Sequence, residues 1–124
     1  MGTTLDMYRI TDKLDDTTLA ILVARLESRG KHPRFTAMMN EYFAAMSIQS
    51  AKTVLDLGCG TGVAARAIAI RQGFAGHVAG IDVSPYLTAA AQGLAEKEGI
   101  ANTVTFRTGD SESLNHVARQ AREC

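Results

Sequence analysis

Net charge is the first thing this sequence lacks: 13 Lys and Arg offset 13 Asp and Glu, leaving a formal charge of zero. A nucleic-acid-binding domain ordinarily gathers a basic face, so this balance gives no electrostatic footprint for DNA or RNA. Cysteine is almost as scarce, with one in a glycine-rich stretch, Cys59, and one at the end of the sequence, Cys124. Two thiols so placed make no disulfide framework, and their spacing matches no metal-ligand motif, so no metal site is expected. Long apolar runs are missing too. No segment reaches the ~18 consecutive apolar residues of a membrane span, and no charged-then-apolar leader opens the sequence. The default expectation is a cytoplasmic protein without membrane contact. A length of 124 residues with 46% hydrophobic content fits one globular domain.

Glycine, by contrast, is concentrated where it matters. The stretch Val54-Leu55-Asp56-Leu57-Gly58-Cys59-Gly60-Thr61-Gly62 joins an apolar strand to a glycine-rich turn and then to a helix opening at Gly62 or Val63. Glycine lets backbone approach a ligand where a Cβ would collide, and a helix start offers unpaired N–H groups. The stretch therefore predicts a cradle of nucleotide size. A dinucleotide fingerprint needs G-x-G-x-x-G or A, and its last position is Val63 here. Asp56, two positions before the first glycine, would repel a pyrophosphate and suits a ligand carrying ammonium and sulfonium charge. A phosphate-binding P-loop fits less well, because no Gly-Lys-Ser/Thr follows the turn.

Periodicity places these residues in a scaffold. Thr17 to Arg29 carries Leu19, Leu22, Val23 and Leu26 at helical spacing, with Asp16 as cap and Gly30 as stop. Pro33 opens a second helix with an apolar stripe of Phe35, Met38, Met39, Tyr42, Phe43 and Met46. Strand and helix then alternate: strand Thr53–Leu57, helix from Gly62 to Gln72, strand His77–Ile81, a helix capped by Ser84 with Pro85 in its first turn and Gly99 at its end, and strand Thr103–Arg107. Such alternation implies parallel strands with right-handed crossovers, an α/β doubly wound sheet. Both turns, after Leu57 and after Ile81, fall at one sheet edge, where ligands of open α/β sheets bind. Asp82 stands there, a natural acceptor for two vicinal hydroxyls. The expected units are 1–50 as helical cover, 51–112 as the ligand-binding half and 113–124 as a helical tail.

With three motifs in order, the sequence resembles the class I S-adenosylmethionine-dependent methyltransferases, over roughly Lys52 to Asp110. Val54 to Gly62 is similar to the family's first motif, and Gly80-Ile81-Asp82-Val83-Ser84 to its second. Thr108-Gly109-Asp110-Ser111 is similar to its adenine-recognition loop. The resemblance implies a Rossmann-like parallel sheet of about three strands after two N-terminal helices, and S-adenosyl-L-methionine as cofactor. It implies cofactor contacts at Asp56, Gly58, Cys59, Gly60 and Gly62. Asp82 would bind the ribose hydroxyls, Val83 pack on adenine, and Asp110 with Ser111 recognise its exocyclic amine. Cys59 is expected to act through its backbone N–H, a reactive thiol being the alternative. A small-molecule methyl acceptor is expected, with no nucleic acid.

The family's fourth strand normally follows the adenine loop. Ser113 to Cys124 instead has helical periodicity, which predicts a truncated, cofactor-binding half whose catalysis is open and for which no catalytic residue is assigned. An unpaired edge on the first strand then predicts a homodimer. A non-catalytic S-adenosylmethionine-binding or interaction module is the alternative, and a nicotinamide-dinucleotide domain a further one.

Overall fold

The computed structural model describes residues 15–109. Its order is α1 (Asp16–Gly30), α2 (Pro33–Ala45), a 3-10 turn (Ile48–Ser50), β1 (Thr53–Leu57), α3 (Val63–Ala69), β2 (His77–Asp82), α4 (Pro85–Lys97) and β3 (Val104–Thr108). The three strands form one parallel sheet in the order β1-β2-β3. This is the expected Rossmann-like α/β architecture behind two N-terminal helices. Among the described residues, β1 pairs with β2 alone. The tail from Ser113 onward, with its expected helix and missing fourth strand, lies outside them, as does the adenine-loop pair Asp110 and Ser111.

Local signals set most boundaries. Pro85 starts α4 where its missing N–H costs nothing, and the Ser84 hydroxyl caps it by accepting from the Leu87 N–H at 3.2 Å. Helix α1 departs from expectation by one residue. Its cap is Asp15, not Asp16, with the carboxylate accepting from the Thr18 N–H at 2.7 Å. Tandem aspartates leave that choice open in the sequence, and the N3 geometry decides it. Helix α3 ends at Ala69 rather than Gln72. The Arg71 N–H bonds back to the Ile68 carbonyl and the Phe74 N–H to the Arg71 carbonyl, tightening the chain into a turn at Gly73, whose φ is +89°.

Register brings the two strand ends together. Asp56 lies beside Gly80 and Leu57 beside Ile81, while Asp82 pairs with Thr108 on the far side. The core beneath them joins Ala65 and Ile68 of α3, Val78 of β2, Ala95 of α4 and Val104 of β3 to Met39 and Phe43 of α2. Two of the six residues of the expected α2 stripe, Met39 and Phe43, are therefore core, and Phe35 packs against it partly buried. Met38, Tyr42 and Met46 remain exposed. Gly80 has a steric reason: a Cβ there would come within 2.6 Å of Phe106 Cδ1 on β3. No helix among the described residues is long and apolar enough to cross a membrane.

Candidate cofactor site

The glycine turn after β1 is held by the end of β2. The carbonyl of Ile81 accepts from the Gly58 N–H at 2.7 Å and from the Cys59 N–H at 3.0 Å. One residue further, the Asp82 carboxylate accepts from the Gly60 N–H at 2.9 Å and from the Ser84 N–H at 3.0 Å. Asp82 is thus both the anchor of the glycine turn and the first half of the α4 cap. It is 7% exposed. Two backbone bonds leave it about two further lone-pair sites, enough for a pair of vicinal hydroxyls.

Three glycines of the turn have left-handed backbone, with φ of +69° at Gly58, +57° at Gly60 and +81° at Gly62. They do different things with the space. At Gly58 a Cβ would meet nothing within 4 Å, so that position stays open. At Gly62 it would lie 2.4 Å from Phe106 Cζ, so the aromatic ring of β3 fills the space against the start of α3.

A cavity of about 500 Å³ opens above this turn. It is lined by the predicted residues Asp56, Gly58, Cys59, Gly60, Asp82 and Val83. Gly109 closes it from the end of β3, its N–H donating to the Asp82 carbonyl at 3.0 Å. Val83 is exposed beside the cavity, free to meet a flat apolar ligand. The Cys59 N–H, expected to face a ligand, is committed to Ile81, which corrects that expectation. Its thiol is also no nucleophile at neutral pH: burial, reinforced by the Asp56 and Asp82 charges, pushes it up to about 12.

Asp56 is the unusual group. Its Oδ2 is buried without a hydrogen-bond partner, a rare state for a carboxylate oxygen. Burial, with the nearby Asp82 charge as the second cause, raises its pKa to about 6; a backbone N–H at Ala65 acts in the opposite direction. Two carboxylates in one concave wall favour a cationic ligand and oppose a pyrophosphate.

Several residues of the site carried no functional signal in the sequence. Leu26 and Arg29 of α1 and Phe35 of α2 form the outer wall. Helix α1 reaches the cavity because its last turns dock on the glycine turn: Leu26 Cδ1 lies 3.7 Å from the position of a Gly60 Cβ, and a Cβ on Gly30 would lie 2.7 Å from Val63 Cγ1. A polar clasp fixes this contact. Glu27 Oε2 accepts from the Thr61 hydroxyl at 2.7 Å and pairs with Arg66 at 2.5 Å. Arg66 also pairs with Glu98 at 2.6 Å and donates through Nε to the Thr61 carbonyl at 3.3 Å. An arginine inside the otherwise apolar segment Val63–Ala69 was the available signal, since a buried guanidinium needs carboxylate partners. Among the described residues no cluster of His, Cys, Asp and Glu has the geometry of a metal site.

A family model described as "Methyltransferase domain" matches residues 48–122. The ribosomal protein L11 methyltransferase of Dechloromonas aromatica is 44% identical over 71 residues, which cover 57% of this chain and 23% of that protein. The enzyme of the same name from Vibrio campbellii is 44% identical over 73 residues, covering 59% of this chain and 23% of its own. The chain therefore spans under a quarter of the length of these curated relatives. Among solved structures, a SAM-dependent methyltransferase from Geobacter sulfurreducens in complex with S-adenosyl-L-homocysteine is 34% identical with a TM-score of 0.54, covering 66% of this chain and 31% of that one. An RNA methyltransferase from Salinibacter ruber, also in complex with S-adenosyl-L-homocysteine, is 27% identical with a TM-score of 0.54, covering 60% and 47%. The curated relatives are named for a protein substrate. That overturns the partner expectation of a small-molecule methyl acceptor. The inference failed because zero net charge excludes only a strongly basic surface; it does not separate a small acceptor from a protein.

Proposed function

The chain belongs to the methyltransferase-domain family, class I by fold, and on that premise we propose that its cavity binds S-adenosyl-L-methionine for methyl transfer to a protein acceptor. The observation that carries the cofactor reading is Asp56, a residue that lines a cavity built on left-handed glycines and whose Oδ2 is buried without a hydrogen-bond partner. A carboxylate kept dry and unpaired is costly to the fold, and a ligand cation offsets that cost on binding. The amino-acid part of S-adenosylmethionine brings an ammonium and a sulfonium, so the charge matches.

Within this reading the chain's own residues have distinct tasks. Asp82 accepts from the ribose hydroxyls with the lone pairs left by Gly60 and Ser84. Gly58 admits the ligand close to the backbone, where a side chain would stand in open space. Val83 offers an apolar surface to adenine, and the family resemblance adds Asp110 and Ser111 at its edge. Cys59 contributes cavity wall rather than a donor. The bound cofactor supplies a methyl group already activated on sulfur. What remains for a protein is chiefly to hold donor and acceptor in line and to exclude water. Protein as the acceptor class is supported by the names of the curated relatives.

Calorimetric titration of the chain with S-adenosylmethionine and with S-adenosylhomocysteine tests the cofactor reading. Saturable binding of one molecule per chain is expected, and no heat with a nicotinamide dinucleotide. Absence of binding by a chain shown to be folded by circular dichroism would remove it. The acceptor reading is tested by methyl-labelled cofactor in a cell extract, with label expected in acid-precipitable, protease-sensitive material.

A further inference from the structure

Helix α2 carries more apolar surface than the core uses. Met39 and Phe43 are buried, whereas the residue before each, Met38 and Tyr42, is exposed, as is Met46 one turn on. Arg34, Met38, Tyr42 and Met46 follow one another at every fourth position, so their exposed side chains form a single ridge along the helix. Tyr42 and Met46 are its least covered apolar members, at 61% and 60% exposed. Of the seven large apolar side chains exposed among the described residues, three belong to this ridge, and Leu57 and Val83 line the cofactor cavity. Single exposed apolar residues are ordinary; a row of them with a polar rim marks a contact surface. The cationic end of the ridge adjoins the cavity, because Phe35, the residue after Arg34, is in its wall. Arg25, Lys31 and Arg34 are exposed around the α1–α2 turn and have no ion-pair partner among the described residues. Glu27, the only acid between Arg25 and Arg34, is committed to Thr61 and Arg66.

Resting on the protein-acceptor reading above, we propose that this ridge docks the acceptor through an amphipathic segment of it. The segment's apolar side chains lie on Met38, Tyr42 and Met46, and its acidic residues meet the unpaired cations at the α1–α2 turn. Tyrosine and methionine suit the apolar part, since both bury large area and methionine adapts its shape to a partner. The cations orient the segment, placing its acidic end beside the cavity and opposing partners with a basic end. A nucleic acid fits less well: it calls for cations along the whole surface, and Glu41, the only acid of α2, stands in the second half of that helix. Docking next to the cavity also serves transfer, because a tethered acceptor meets the methyl donor at high effective concentration.

The test titrates two synthetic amphipathic helices into the full chain by fluorescence anisotropy, both with leucine at every fourth position, one ending in glutamates and the other in lysines. The glutamate peptide is expected to bind about tenfold more tightly at low salt. Tyr42→Ser, which removes one apolar anchor from an exposed position, should weaken it by about tenfold. Arg34→Glu should shrink the preference between the two peptides. Neither side chain lines the cavity, so both variants should bind S-adenosylmethionine as wild type does. Protein labelling by methyl-labelled cofactor in a cell extract should nevertheless fall in both. Labelling of protein that both variants leave unchanged would overturn the ridge while the protein-acceptor reading stands, and so would equal affinity for the two peptides. No protein labelling by wild-type chain overturns both readings. A wild-type dimer that Tyr42→Ser dissociates in analytical ultracentrifugation would make the ridge a contact between copies of the chain, and would overturn the proposal as well.

Discussion

Glu27 and Arg66 meet at 2.5 Å with side chains 18% and 9% exposed, an ion pair that joins helix α1 to the helix following the glycine turn. It is the polar centre of the contact that makes α1 a wall of the cavity. A nearly buried guanidinium that loses a partner is left with an uncompensated charge, which costs more than the pair itself contributes. Arg66→Ala removes the pair to Glu27, the pair to Glu98 and the bond to the Thr61 carbonyl together. The expected destabilisation is about 2–3 kcal/mol, at the low end for buried pairs because Glu98 is 40% exposed. Urea unfolding measures it. Glu27→Gln should cost a comparable amount: the amide oxygen still accepts from the Thr61 hydroxyl, but the nearly buried Arg66 guanidinium keeps only the more exposed Glu98 as a charge partner.

Asp82 serves the fold and the ligand at once, and two substitutions separate these roles. Asp82→Ala leaves the Gly60 and Ser84 N–H groups without their acceptor, so both stability and cofactor affinity should fall, the latter by about 1.5–3 kcal/mol. Asp82→Asn keeps one carbonyl acceptor and removes the charge. It should recover most of the stability and little of the affinity, as read by thermal unfolding beside calorimetric titration. Affinity unchanged in Asp82→Asn would take Asp82 out of the ligand site.

The fold was largely legible because its signals are local. Strand β1 is found where the apolar run Thr53–Leu57 placed it, and Ser84 with Pro85 marked the start of α4 unambiguously. The glycine turn and Asp82 were legible for the same reason, being short motifs whose geometry depends on neighbours in sequence. What was not legible depended on docking. Leu26, Arg29 and Phe35 read as ordinary helix positions until α1 is laid on the glycine turn, and that placement rests on Gly30 fitting Val63 and Glu27 finding Thr61 and Arg66. The Cys59 N–H was misassigned because only the β1–β2 register shows that the Ile81 carbonyl has claimed it. The acceptor class was misread for a different reason: composition averages over the whole chain and has no site in it.

Two glycines face one aromatic ring, and they should respond differently to relief of crowding. Gly80→Ala brings a Cβ within 2.6 Å of Phe106 Cδ1, and Gly62→Ala within 2.4 Å of Phe106 Cζ. Both should destabilise by about 2 kcal/mol or more. Trimming the ring with Phe106→Leu should restore much of the Gly80→Ala loss, measured as a coupling energy in a double-mutant cycle. Gly62→Ala should recover less, because its φ of +81° disfavours alanine whatever the space. Equal rescue at both positions would show that crowding, not backbone conformation, decides Gly62.

Asp56 sets stability against function, and pH exposes the conflict. Its pKa is raised from 3.8 to about 6 in the folded chain, burial being the main cause. A carboxyl so raised is favoured in its protonated form by folding, so its effect on stability is absent below about pH 3.8. The destabilisation grows as pH rises toward 6 and is constant above it. Asp56→Asn, neutral at every pH, should therefore be more stable than wild type at pH 7.5, by about 2–3 kcal/mol if the raised pKa is its sole cause. The gain should shrink when urea unfolding of the two chains is repeated near pH 4.5. Ligand binding runs the other way. Wild-type affinity for S-adenosylmethionine should fall as pH drops through 6 and Asp56 loses its charge, whereas Asp56→Asn should bind weakly with little change over the same range. A variant that gains stability and keeps full affinity at neutral pH would show that the ligand cation does not meet Asp56, and the charge argument for the cavity would fail with it.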